Sequence, residues 1–418
     1  MLDAMTAYPP VSDALVVGVG APAARALTAD FARHNTATSA LVLGADHSSL
    51  VVAAAVEALL PGDTLTLVTG ERSTADLLRD HITGLGSWIA DRVKIADSLE
   101  EAEPADVVIV GEPLTGPADE VRVLLEQLGK YLTDGAVVAL ATPAAPGRTG
   151  GAAAELFRQS ALFGVGSDLV LRNRPPLRIH RLRFTPADPG LAGTLAPAYR
   201  PSSVALTRTM HVDSNGVAAA ALALALAALA RTARPKSKLW LLPALAAAPV
   251  AAFFRDPERD VPGDPDAIVA AADGRVLAVE RITDTRFGPG EFLRIAVFLS
   301  VLDVHVNRVP VAGRVADYFV EEGGYANAMT AAAEHNVAAY TVLDTDHGTV
   351  VVAQRTGLIA RRIVQRVPVG ALVARGERMG LIRFGSRTDV YLPADRADAV
   401  VAVNDKVVGG ASVIARWK

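Results

Sequence analysis

Residues 383–393 read RFGSRTDVYLP, a Gly-Ser step set between two runs of strand-forming residues. Taken alone, such a step is a turn, because glycine and serine both suit tight reversals. Its surroundings decide whether it is more. From residue 253 onward, Val- and Ile-rich alternation is broken by Gly, Pro and Asp: FFRDPERDVPGDPDAIVAAADGRV, then LRIAVFLSVLDVHVNRVPVAGRV, then ALVARGERMGLIRFGSRTDVYLPADRADAVVAVNDKVVGGASVIARWK. Period-two alternation between turn residues predicts a compact, strand-rich α+β domain over 255–418. YANAMTAAAEHN is the best helix candidate within it. Three residues there have the chemistry of an acid, a base and a hydroxyl nucleophile: Asp273 in AADGRV, His305 in DVHVNR and Ser386 in FGSR. A serine hydroxyl attacks well only when an imidazole takes its proton and a third group orients that imidazole. Each residue also has a plain alternative, as a hairpin turn, a strand histidine or a turn serine.

The chain's 418 residues are enough for two or three domains. Its 41 basic and 45 acidic residues give a net charge of -4, so no nucleic-acid partner is expected. There is no cysteine, which excludes disulfides, thiolate nucleophiles and Cys-ligated metal, and no metal site is expected. The start MLDAMTAYPPVSD lacks the basic and apolar regions of a secretory signal, which places the chain in the cytoplasm.

Residues 12–200 differ in kind. SALVLGA, DTLTLVTGE, RVKIADS, ADVVIVGEP and GAVVALATP alternate with amphipathic segments. Near-continuous apolar strands between helices predict an α/β doubly wound parallel sheet covered on both faces. Ligands of such sheets sit beyond the carboxyl ends of the strands, where LVLGADHSS and Glu71 fall. Over residues 38–145 this order resembles the class I S-adenosylmethionine-dependent methyltransferases. The resemblance implies S-adenosylmethionine at Gly44, with Glu71 on its ribose. Where that family carries several glycines, this chain follows Gly44 with Ala45, Asp46, His47 and Ser48, so a retained scaffold stands beside a working methyltransferase.

Between these parts, over 201–254, lie a linker and two apolar runs. GVAAAALALALAALA and LWLLPALAAAPVAAFF carry no polar face and are separated by the basic RTARPKSK. Each falls short of the roughly 20 residues of a spanning helix. The pair predicts a membrane-associating helical hairpin that dips into one leaflet, with Trp240 and Phe253-Phe254 at interface depth.

Taken together, FFRDPER, ADG, DVHVNR and GSR, in that order, make residues 239–418 resemble the shorter form of phosphatidylserine decarboxylase. The resemblance implies that the precursor cuts itself between Gly385 and Ser386, and that Ser386 becomes a covalent pyruvoyl group. The short chain, 386–418, stays bound to the long one. The pyruvoyl carbonyl would then take the amine of phosphatidylserine and act as electron sink, giving phosphatidylethanolamine and CO2. By the same resemblance His305 is the base and Asp273 orients it. Asn307 and Arg308 engage the lipid headgroup. The enzyme is a homodimer, peripheral or monotopic at the cytoplasmic face of the membrane. Two alternatives from other classes remain: a serine hydrolase using Asp273, His305 and Ser386, and a non-catalytic lipid-binding scaffold.

Overall fold

A computed structural model describes residues 17–70, 72–144, 151–198, 203–358, 362–382 and 386–418. The chain divides into two compact units. One comprises Met1–Asp188 with Thr194–Pro201, the other Pro189–Gly193 with Ser202–Lys418.

The first unit is built on β1 (Ser39–Leu43), β2 (Thr64–Val68), β3 (Val93–Ala96), β4 (Ala105–Val110), β5 (Leu132–Pro143), β6 (Gly164–Val170) and β7 (Leu177–Leu182). Their order is β3-β2-β1-β4-β5-β7-β6. The first five strands pair in parallel, as in a doubly wound sheet. Alternate residues serve opposite faces. Ala40, Val42, Leu65 and Leu67 join one core with Val52, Ala55 and Leu78, whereas Leu41, Leu43, Val108 and Val110 join another with Val121, Leu125 and Leu156. The sequence reading missed β6 and β7, which add on antiparallel. Their charges disguised them. Arg181 of β7 is buried because Asp30 and Asp168 each hold its guanidinium at 2.5 Å.

The second unit is antiparallel. Its eight-stranded sheet runs Leu372–Val373, Gly313–Glu321, Ala338–Thr345, Gly348–Arg355, Ser386–Pro393, Glu291–Leu299, Gly274–Thr283 and Lys406–Val407. Ser386–Pro393 lies near the middle and is buried along all but its last residue. In a smaller sheet, Arg378–Ile382 is flanked by Val306–Arg308 and Ile363–Gln365. The helix expected in YANAMTAAAEHN is only a 3-10 turn, Ala331–His335. Local bonding explains the difference. The Asn336 side chain accepts from the Ala326 amide at 2.7 Å and donates to the carbonyls of Ala326 and Thr356, which folds the segment back on itself.

The apolar runs form helices Ser214–Ala233 and Leu241–Phe253, packed against each other. The first is longer than its apolar run. Asp213 caps it and it continues through Arg231, so its 20 residues are long and apolar enough to cross a membrane by length and composition. Leu222, Leu224, Leu226 and Leu229 on one helix, and Leu242 and Leu245 on the other, are exposed. The hairpin is stitched at its base, where Met210–Asp213 pairs antiparallel with Arg255–Pro257. Gly216 permits close packing there, since a Cβ on it would lie 2.5 Å from the Phe254 Cβ.

That base is clamped to the smaller sheet by one buried carboxylate. Asp256 is held by Arg308 at 3.1 Å and by Arg378. Replacing Asp256 by Ala takes its carboxylate from the buried Arg308 and the half-buried Arg378, leaving Arg308 only main-chain carbonyls, which costs roughly 3 kcal/mol. We expect a corresponding drop in the urea midpoint of the second unit. A loss below about 1 kcal/mol would show that the clamp is slack.

Candidate functional site

Ser386 opens the central strand, opposite Leu299. It is fully buried, and its Oγ has no hydrogen-bond partner among the described residues. An unmet buried hydroxyl costs stability, so its persistence calls for a reason. His305 immediately precedes Val306–Arg308 and is also buried, with Nε2 unpartnered. Two pins hold these residues at the same end of their strands. The amide of Ile382, four residues before Ser386, donates to the His305 carbonyl at 3.3 Å. Two residues on from each, Asn307 Nδ2 donates to Thr388 Oγ1 at 3.5 Å.

The imidazole is oriented from below. Its Nδ1–H donates to the main-chain carbonyl of Asp303 at 2.9 Å, which leaves the Nε2 lone pair free. Burial pushes its pKa below the ordinary value, against an upward pull from the Asp303 carbonyl and carboxylate. The imidazole is therefore neutral near pH 7. The ring of Phe253, the last residue of the second apolar helix, lies 4.3 Å from it, centroid to centroid. The apolar hairpin thus ends against the histidine.

Three sequence expectations change here. Asp273 does not orient His305: its carboxylate takes Arg259 at 2.7 Å and the Gly409 amide at 2.8 Å, while the Asp303 carbonyl holds the imidazole. Burial raises the Asp273 pKa against the pull of Arg259. Arg308 does not reach for a headgroup. Buried, it donates to Asp256 and to the carbonyls of Gly376 and Pro257, and desolvation lowers its pKa to about 10. Asn307 is spent on Thr388 and on Gln354, whose Nε2 donates to its Oδ1 at 2.7 Å. Gly385 and Glu71 lie outside the described residues.

Gln354, Asp303 and Phe253 were missed by the sequence reading. The last two sit inside quoted motifs, whereas nothing in the run VVAQRT marks Gln354. A cavity of about 420 Å³ lined by Arg286, Arg294, Glu334, Arg355 and Tyr391 belongs to the other sheet face. Arg387, Asp389 and Tyr391 alternate with Ser386 and Thr388, so that cavity is separate from the serine.

In the first unit, Gly44 follows β1 with a positive φ of 71°, near the switch point where β1 meets β4. The loop spends its polar groups on itself. Asp46 accepts from the amide and hydroxyl of Ser48, and Ser49 caps the helix Leu50–Glu57.

The sequence model of the phosphatidylserine decarboxylase family matches residues 247–415. A phosphatidylserine decarboxylase proenzyme of Symbiobacterium thermophilum is 48% identical over 166 residues, 39% of this chain and 77% of the relative. One of Desulfotalea psychrophila is 44% identical over 164 residues, 39% of this chain and 76% of the relative. Similar solved structures include an O-methyltransferase of Streptomyces achromogenes at 16% identity and TM-score 0.28, covering 40% of this chain and 82% of that one. Another is an O-methyltransferase of Bacillus cereus at 13% identity and TM-score 0.29, covering 39% and 80%. Scores that low carry no argument about the first unit. The proenzyme matches do carry one. With close to half of the aligned residues identical over three quarters of those relatives, this chain belongs to the phosphatidylserine decarboxylase family of carboxy-lyases.

Proposed function

We propose that this chain is a proenzyme that cuts itself between Gly385 and Ser386, and that the product decarboxylates phosphatidylserine at a lipid surface. The observation that carries the reading is the pair of buried, unpartnered atoms, Ser386 Oγ and His305 Nε2, at the starts of strands in two sheets that the Asn307–Thr388 hydrogen bond links. A base and a nucleophile left unpaired at an energetic cost suit a reaction the chain performs on itself.

His305 Nε2 takes the Ser386 hydroxyl proton, and Oγ attacks the Gly385 carbonyl carbon. The Gly385–Ser386 C–N bond breaks, the amine takes the proton, and an ester joins the two residues. Removal of the Ser386 α-proton then expels the Gly385 carboxylate from Cβ. Water replaces the nitrogen of the resulting enamine, ammonia leaves, and a pyruvoyl group remains. The structure fits such a group, since Ser386 starts a strand whose pairing with Glu291–Leu299 and Gly348–Arg355 holds 386–393 in place after a cut. Once present, it supplies a carbonyl that takes the substrate amine and draws in the electrons released with CO2. His305 serves as the proton carrier at Nε2, fixed in that tautomer by the Asp303 carbonyl. Asp273 anchors Arg259 and the Gly409 turn beside it.

The hairpin explains how a diacyl substrate is reached. Its exposed leucines belong in lipid, and its last ring touches the histidine, so the reaction centre lies at the hairpin base.

Denatured intact mass tests the cut. We expect wild type to divide after Gly385, with pyruvoyl on the short fragment, and Ser386→Ala to stay whole. An uncut wild type whose Ser386 is labelled by an acylating probe would replace the reading with a hydrolase. The cut should also follow the base. Neutral His305 is the active form, and burial lowers its pKa from the ordinary histidine value, so the rate should fall with a midpoint below that of an ordinary histidine. A midpoint above that value would assign the proton to another group. Asp273→Asn should leave the ¹⁵N shifts of His305 in the Nδ1–H pattern, whereas loss of that pattern would return the orienting role to Asp273. Finally, Leu224→Asp with Leu245→Asp should cut normally but no longer float with anionic vesicles. Unchanged flotation would remove the hairpin from the lipid contact.

A further inference from the structure

Beside Ser386 lies a third buried atom with unspent capacity. Gln354 is fully buried on Gly348–Arg355, and its Oε1 has no hydrogen-bond partner. It pairs across strands with Thr388, two residues from Ser386 on the same face. That places the Gln354 amide within side-chain reach of the Ser386 position. The amide is not free to turn away, because Nε2 donates to Asn307 Oδ1 at 2.7 Å and Asn307 Nδ2 donates to Thr388. With Nε2 spent on Asn307, the amide keeps one carbonyl oxygen without a donor, on a residue whose strand partner lies two residues from Ser386.

The donors that the cut generates, the freed Ser386 amine and the protonated His305 Nε2, are transient. A Gly385 carboxylate and a pyruvoyl group at 386 only accept hydrogen bonds, and ammonia departs. On a phosphoserine headgroup the phosphate and carboxylate also only accept, and the amine is the sole donor. We propose that Gln354 Oε1 receives an N–H of the substrate amine and so holds the nitrogen at the reactive centre. The inference rests on the decarboxylase reading above and adds the residue that selects an amine-bearing headgroup. Thr388 and Asn307 act through it as positioning residues.

The test uses the full chain with Ser386→Ala, which removes turnover, and calorimetry with two soluble probes. One is glycerophosphoserine, and the other is its counterpart with hydrogen in place of the amine. A hydrogen bond to a charged group predicts a preference of about ten- to hundredfold for the amine probe. Adding Gln354→Met should reduce that preference to about twofold or less, whereas Gln354→Glu, which keeps an acceptor, should retain it. In the otherwise native chain, Gln354→Met should still cut fully by intact mass and should raise KM for phosphatidylserine vesicles. An undiminished preference in Gln354→Met, or no preference with Gln354 present, overturns the proposal. So does a Gln354→Met chain that stays uncut while Gln354→Glu cuts, which would move the residue's role to the self-cleavage. Failure of the native chain itself to cut would instead overturn the parent reading.

Discussion

A carboxylate buried between two guanidiniums organises the second unit. Asp256 belongs to the strand that closes the apolar hairpin, Arg308 to the strand that follows His305, and Arg378 to the strand that leads toward Ser386. Three chain segments far apart in sequence are therefore bound at one point. Because a buried ion is costly unless paired, none of the three can shift without leaving a charge unmet. This constraint explains why an arginine next to the candidate base is not available to a ligand.

From that clamp the arrangement of the site follows. The hairpin must leave the unit beside the histidine strand, and Phe253 accordingly rests against the imidazole. The ring buries the imidazole and keeps it neutral, while the Asp303 carbonyl selects the tautomer. A base of this kind needs no carboxylate partner. Asp273 can then serve the adjoining Gly409 turn through its amide, with Arg259 as counter-charge.

Unpaired polar atoms are ordinarily rare in a packed interior. Here Ser386 Oγ, His305 Nε2 and Gln354 Oε1 are all buried without partners among the described residues, in two sheets that the Asn307–Thr388 and Asn307–Gln354 hydrogen bonds link. The surrounding sheet bears their cost, and the proposed self-cleavage and amine binding would give each of them a use. The first unit contrasts with this. In its loop after β1, Asp46 accepts from Ser48 and Ser49 caps the following helix.

Much of this was legible without coordinates. Continuous apolar strands announced the parallel half of the first sheet, and the motif order FFRDPER, ADG, DVHVNR, GSR marked the second unit and its chemically capable residues. The fold readings succeed because strand periodicity is a local property of the chain. What a side chain touches is not local. Arg308 and Asn307 read as ligand groups until folding gave them Asp256, Thr388 and Gln354 as partners, and Arg181 hid a strand until Asp30 and Asp168 neutralised it. Gln354 had no signature at all, because only strand pairing sets it beside Thr388, two residues from Ser386. Sequence alone determined which groups could do chemistry. Tertiary structure decided which of them are left unspent, since only burial and pairing across distant strands fix which polar atoms are satisfied.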